Sequence, residues 1–232
     1  MIDEKLSNPE EHKALRFPRP IIITLILLFT ALAISGCTAL PTIRQSEHPA
    51  QALVLIDLQR GVLSPDGPAT LGNKRSEALI QATDRAIDTA LKNGIPIAFV
   101  KNEWSQWRFF ENWWFGGAFK KGSEWAQVDP RLLTRIPEDK RVVFSKPFPS
   151  AFSDPNLQKW LESNKVGKLI VGGLYGDKCI TSTTMEALER GYIVQLVPDG
   201  IVTQDEEARA PTIEKLINRG ATIWTPALRD NP

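Results

Sequence analysis

Three side chains capable of nucleophilic chemistry stand just beyond apolar runs: Asp57 after Leu-Val-Leu-Ile, Lys146 after Val-Val-Phe-Ser, and Cys179 shortly after Leu-Ile-Val-Gly-Gly. Taken singly each has an ordinary reading. An acid after a strand caps a turn, a lone lysine is solvated, and a lone cysteine packs as a small hydrophobe. Taken together they suit acyl transfer through a covalent intermediate, in which a thiolate attacks a carbonyl carbon and a carboxylate carries the thiol proton to a leaving amine. A helix N-terminus and a nearby ammonium are expected to lower the pKa of Cys179, and Lys146 is expected to hold thiolate and carboxylate in register. Three groups so coupled titrate as a set.

Such a trio requires elements that bring distant residues to one edge. Six apolar runs, at 52–57, 95–100, 141–146, 168–171, 192–197 and 221–224, read as strands buried on both faces. Between them, 74–92, 154–162, 178–190 and 206–218 read as helices; glycines at 94, 191 and 220 follow three of them. This alternation predicts an α/β fold with a mostly parallel six-stranded sheet and helices on both faces. In such a sheet, residues at the carboxyl ends of the strands share one edge.

Residues 103–125 are too long for a simple connection and hold Trp104, Trp107, Trp113, Trp114 and Trp125 with Phe109, Phe110, Phe115 and Phe119. Three readings stay open for them: a satellite core or subunit contact, an aromatic wall over a substrate pocket, or a membrane-facing patch.

The chain has 232 residues and a formal net charge of +1, without the basic excess that holds a phosphate backbone, so nucleic acid is not expected as a partner. Its two histidines, His12 and His48, lie near the N-terminus, outside the strands and helices read above, which argues against a His-based metal site or a His general base. No cofactor is expected. Residues 21–35 carry no charge and lead into Ile34-Ser35-Gly36-Cys37, which resembles a bacterial lipoprotein lipobox. That resemblance implies a signal peptide at 1–36, diacylglycerol on Cys37, a tether over 37–51 and a catalytic domain over 52–232. It places the protein in the bacterial cell envelope on the periplasmic face, and Thr38 weakly favours the outer membrane. With Cys37 lipidated, Cys179 is the one remaining thiol and no internal disulfide forms.

The segments ALVLIDLQRGV, VVFSKPFPSAF and VGGLYGDKCITSTTMEALERGY resemble, in order and spacing, the signature blocks of the isochorismatase-like cysteine hydrolases, a group that includes nicotinamidases and carbamoylsarcosine amidases. Gly122-Ser123-Glu124-Trp125-Ala126 and Pro198-Asp199-Gly200 also match family positions. The resemblance implies a Rossmann-like three-layer α/β/α fold, an Asp57-Lys146-Cys179 triad, an oxyanion hole from backbone N–H groups around Tyr175 and Cys179, and a cis peptide at Leu174-Tyr175. It also implies a small-molecule substrate and a homo-oligomer. Trp104, Trp107, Trp113, Phe152, Leu174 and Tyr175 are the candidate substrate contacts. Tyr175 and Gly176 depart from the family's usual small residue and threonine, which alters the pocket beside Cys179. Nicotinamidases carry an aspartate and histidines for a metal just after the second strand, where this chain has Asn102, Glu103 and Trp104; the expected activity is therefore metal-independent cleavage of an amide or related C–N bond. The alternative is a binding lipoprotein that keeps the fold and uses the tryptophan-rich insertion to hold a ligand or partner.

Overall fold

The computed structural model describes residues 49–225; the segments expected to be a signal peptide (1–36) and, for the most part, a tether (37–51), with Cys37, lie outside them. Six strands, β1 (Ala50–Ile56), β2 (Ile97–Asn102), β3 (Arg141–Lys146), β4 (Val166–Leu174), β5 (Ile193–Val202) and β6 (Thr222–Ile223), form one sheet in the order β3-β2-β1-β4-β5-β6. Every pairing is parallel, where a mostly parallel sheet was expected. Each strand therefore presents its carboxyl end to the same edge. The chain reverses its direction of travel across the sheet between β1 and β4, the place where ligands sit in open α/β folds.

The central strand shows why the sheet is apolar on both sides. Ala52, Val54 and Ile56 face one core, together with Leu157 and Leu161 of α5 (Pro155–Ser163), Ala187 of α6 (Thr181–Glu189) and Leu216 of α7 (Arg209–Asn218). Leu53 and Leu55 face the other core, against Leu79, Ile80, Ala86 and Ile87 of α2 (Asn73–Lys92), Val62 and Leu63 of α1 (Arg60–Leu63), and Leu132 of α4 (Pro130–Leu133). Alternate residues of one strand thus seed two separate hydrophobic layers, each worth about 25 cal/mol per Å² of apolar surface removed from water.

The helix limits differ from expectation where a tighter or wider turn opens them. The segment read as a helix from 178 begins with a π turn, Gly176–Ile180, before α6, and the one read from 206 begins with a 3₁₀ turn, Glu206–Ala208, before α7. Gly94 takes φ +65° just past α2, as its position predicts. The insertion after β2 contains a short helix, α3 (Phe109–Trp114), which buries none of its residues.

Candidate active site

Asp57 leaves β1 in a left-handed conformation (φ +57°), and its N–H donates to Val100 O at 2.8 Å. Behind it, the buried side chain of Gln59 donates to Asn102 O and Ala126 O, both at 2.9 Å, and accepts from Asn102 N–H at 2.9 Å. One amide therefore joins the ends of β1 and β2 to the returning limb of the insertion. Gly61 N–H and Arg60 N–H, donating to Trp125 O and Gln127 O, extend the same seam. Gly173 lets β4 approach at this edge: it takes φ +125°, and a Cβ there would stand 2.0 Å from Ile56 O. The Leu174–Tyr175 peptide that follows is cis, and it leads directly into the π turn carrying Cys179.

Lys146 ends β3 with a fully buried side chain. Its Nζ lies 3.0 Å from Asp57 Oδ2 and donates to Cys179 Sγ at 3.2 Å and to Phe148 O at 3.3 Å. An ammonium has three protons, and each has an acceptor here. The structure thus brings Asp57, Lys146 and Cys179 together from the ends of β1, β3 and the turn after β4. The Cys179 thiol and Asn102 N–H also stabilise the Asp57 carboxylate, although neither closes a hydrogen bond of ordinary geometry onto the buried Oδ1.

The electrostatics correct one expectation. Burial, reinforced by the Asp57 charge, pushes the Cys179 thiol up to about 12 against the opposing pull of Lys146. The expectation of a thiol acidified by ammonium and helix end counted the cation and omitted both desolvation and the adjacent carboxylate. Burial likewise raises Asp57, with Lys146 the chief opposing influence. For Lys146, burial pulls downward but the Asp57 carboxylate, with the hydrogen bonds to Asp57 and Cys179, prevails, so its ammonium is held more firmly than usual. The resting site therefore keeps a protonated thiol beside a carboxylate–ammonium pair, and the thiol proton has a neighbouring acceptor whose affinity for it is also raised.

Tyr175 and Leu174 flank the cis bond, and burial raises the Tyr175 hydroxyl with Arg75 opposing. Phe152 is buried in the same core as Cys179, its ring stacked on Tyr192 at 5.7 Å with the Arg190 guanidinium 4.7 Å from its centroid. The expected aromatic wall divides in two. Trp104 packs on Phe115 and Phe119 at centroid distances of 5.3 and 5.0 Å as a satellite core, whereas Trp107 and Trp113 are exposed. Gln59 is the residue whose part in the site went unread: it stands two positions after Asp57 in the first signature block, but its partners are 43 and 67 residues away.

Asn102, Glu103 and Trp104 do not make a metal donor set. Glu103 Oε1 is 2.8 Å from Lys101 Nζ, with both side chains largely buried, and Trp104 offers only its ring. Burial tends to raise the Glu103 carboxyl, yet Lys101 leaves it below the usual range. Among the described residues no other group of histidine, cysteine and carboxylate side chains is gathered for a metal.

Residues 51–227 match the isochorismatase domain. The chain is 28% identical over 150 residues to the N-carbamoylsarcosine amidase of an Arthrobacter species, a match covering 61% of this chain and 55% of that protein, so it spans about half the length of that relative. It is 27% identical over 154 residues to an uncharacterized isochorismatase family protein of Bacillus subtilis, covering 66% of this chain and 77% of that protein. The fold is similar to that of a pyrazinamidase/nicotinamidase from Streptococcus mutans (TM-score 0.66, 23% identity, 75% of this chain and 100% of that one). With the domain matched over most of its length, on a six-stranded parallel sheet that gathers the aspartate, lysine and cysteine of the three signature blocks, the chain belongs to the isochorismatase family.

Proposed function

We propose that the protein is a lipid-anchored cysteine hydrolase that cleaves an amide or related C–N bond of a small molecule through a thioester. The observation that carries this reading is the buried contact of Lys146 Nζ with both Asp57 Oδ2 (3.0 Å) and Cys179 Sγ (3.2 Å). Sγ attacks the carbonyl carbon as its proton passes to Asp57. The resulting oxyanion is met by backbone N–H groups of Tyr175 and Cys179. Asp57 returns the proton to the leaving nitrogen, the C–N bond breaks, and an amine or ammonia departs. Water then adds to the thioester carbonyl, giving a proton to Asp57, and the acid leaves as Sγ recovers that proton. Lys146 keeps its charge throughout and offsets the negative charge that moves between Asp57 and Cys179.

The anchor in this reading is diacylglycerol on Cys37, holding the domain on the periplasmic face of a bacterial envelope, with Thr38 favouring the outer membrane. Screening amides and carbamoyl compounds for ammonia or amine release, beside Cys179→Ala and Cys179→Ser, tests the chemistry. Release lost in both variants, with an acyl adduct on Cys179 in the wild type by intact mass, is expected. Full turnover by Cys179→Ala overturns it. The anchor is tested separately by the mass of the N-terminal peptide extracted from bacterial membranes.

A further inference from the structure

The insertion carries a surface that neither the triad nor the two cores use. Trp107, Phe109, Phe110, Trp113 and Trp114 are each between 68% and 77% exposed, and Phe148 beside them is 56% exposed. Their contacts are mainly with one another: Phe110 stacks on Trp114 and meets Trp113, both at 6.3 Å, and Trp107 meets Phe109 edge-on at 6.3 Å. Five large aromatic residues within eight positions, with no core behind α3, form an apolar platform of the kind that marks an interaction surface.

From this geometry we infer that the aromatic face of the insertion seats on a phospholipid bilayer. Composition is the first argument, since tryptophan and phenylalanine are favoured where hydrocarbon meets headgroups. Charge is the second. Each acid of the insertion is paired with a base, Glu103 with Lys101 of β2, Glu111 with Arg108 and Glu124 with Arg60 of α1, while the exposed Lys120 and Lys121 have no acidic partner among the described residues. The insertion that bears the platform thus carries two uncompensated exposed cations, which suits anionic headgroups.

The third argument is the chain outside the described residues, which contains the uncharged run 21–35 and Cys37. Twelve residues, 38–49, separate Cys37 from the start of β1 at Ala50. That stretch reaches at most about 45 Å, against roughly 23 Å for a seven-residue strand, so an anchored N-terminus can pass the full height of the sheet. The inference rests to this extent on the anchoring reading.

The consequence concerns the reaction site. Arg108 lies over the Phe148 ring at 5.3 Å, and the Phe148 carbonyl accepts from Lys146 Nζ. The platform is therefore continuous with the loop that seats the triad lysine, and docking sets the carboxyl edge of the sheet against the bilayer surface.

The test uses the full-length protein mixed with vesicles of phosphatidylcholine and a minority of phosphatidylglycerol, with and without bromine on the acyl chains close to the headgroup. Bromine is expected to quench the tryptophan emission of the wild type. That quenching should be lost in the triple variant Trp107→Phe, Trp113→Phe, Trp114→Phe, which keeps the apolar surface and removes the reporters. Emission indifferent to bromine in protein that sediments with the vesicles overturns the inference, as does shielding of these tryptophans from aqueous iodide that grows with protein concentration in the absence of lipid, since a second copy then covers the face. Cys37→Ser, measured alongside, separates the two readings: bromine quenching that persists in this variant supports the platform whatever becomes of the anchor, and sedimentation without quenching in the wild type supports the anchor alone.

Discussion

Lys146 Nζ lies 3.0 Å from Asp57 Oδ2 although the two residues end strands that do not touch: β3 and β1 have β2 between them. Adjacent strands are about 4.8 Å apart, so two spacings must be crossed, and a long unbranched side chain is what crosses them. The pair is buried, so its partners are a condition for each other's charge.

Removing the cation should therefore cost more than removing both charges. Lys146→Met leaves Asp57 uncompensated and is expected to lower stability by about 3–5 kcal/mol, whereas Asp57→Asn with Lys146→Met recovers a large part of that loss. Urea unfolding of the two single variants and the double variant measures the coupling.

Alkylation of Cys179 by iodoacetamide should be slower near neutral pH than that of a free thiol, and its rate should still be rising beyond pH 9, because burial and the Asp57 charge raise the thiol to about 12. Asp57→Asn removes a charge that disfavours the thiolate and is expected to speed labelling; Lys146→Met should slow it. A rate that levels off near pH 8 in the wild type contradicts this assignment.

The same shift has a stability consequence. An unfolded thiol ionises from about pH 9 while the folded one keeps its proton to about 12, so the unfolded state binds fewer protons in that window and stability falls as pH rises through it. The Lys146 ammonium, also raised in the folded state, stabilises fully below the usual lysine value and loses that contribution in still more alkaline solution. Cys179→Ala should flatten the decline that begins near pH 9, as read from denaturant midpoints at successive pH values.

Gln59→Leu removes three buried hydrogen bonds to Asn102 and Ala126 and leaves backbone groups unpaired. A loss of about 2–4 kcal/mol is expected, with faster amide exchange at Asn102 than at positions in β4. Hydrogen exchange read by mass spectrometry distinguishes this local release from general loosening.

Within the insertion, Trp104→Ala should cost about 1–3 kcal/mol because its ring fills the cluster with Phe115 and Phe119, and Trp107→Ala should fall within about 0.5 kcal/mol of the wild type. Thermal unfolding of the two variants gives the contrast.

Apolar runs ending in Asp57, Lys146 and the glycines before Cys179 were enough to read the parallel sheet and its reactive edge, because a strand buried on both faces leaves an unbroken hydrophobic signature. Two kinds of information were not legible. The partners of Gln59 are backbone groups, and a bond to a carbonyl carries no mark in the residue that owns it. The acidity of Cys179 depends on how much water the fold removes and on the opposing effects of two charges, so its neighbours' types gave the wrong direction. The insertion resisted because nine aromatic residues in 23 positions have no single period, and burial of Trp104 beside exposure of Trp107 was settled by packing.

The position of β3 at the margin of the sheet, bonded to β2 alone, has a kinetic corollary. Asp57 directly follows a strand clamped on both sides, and Cys179 lies a turn beyond another such strand, while the ammonium that joins them is delivered by a strand held on one. Fraying at that margin withdraws the cation while the interior of the domain is still intact. On gradual heating, turnover should then fade at a lower temperature than the cooperative melting of the core, and it should return on cooling, since the strand that strayed has only one neighbour to rejoin.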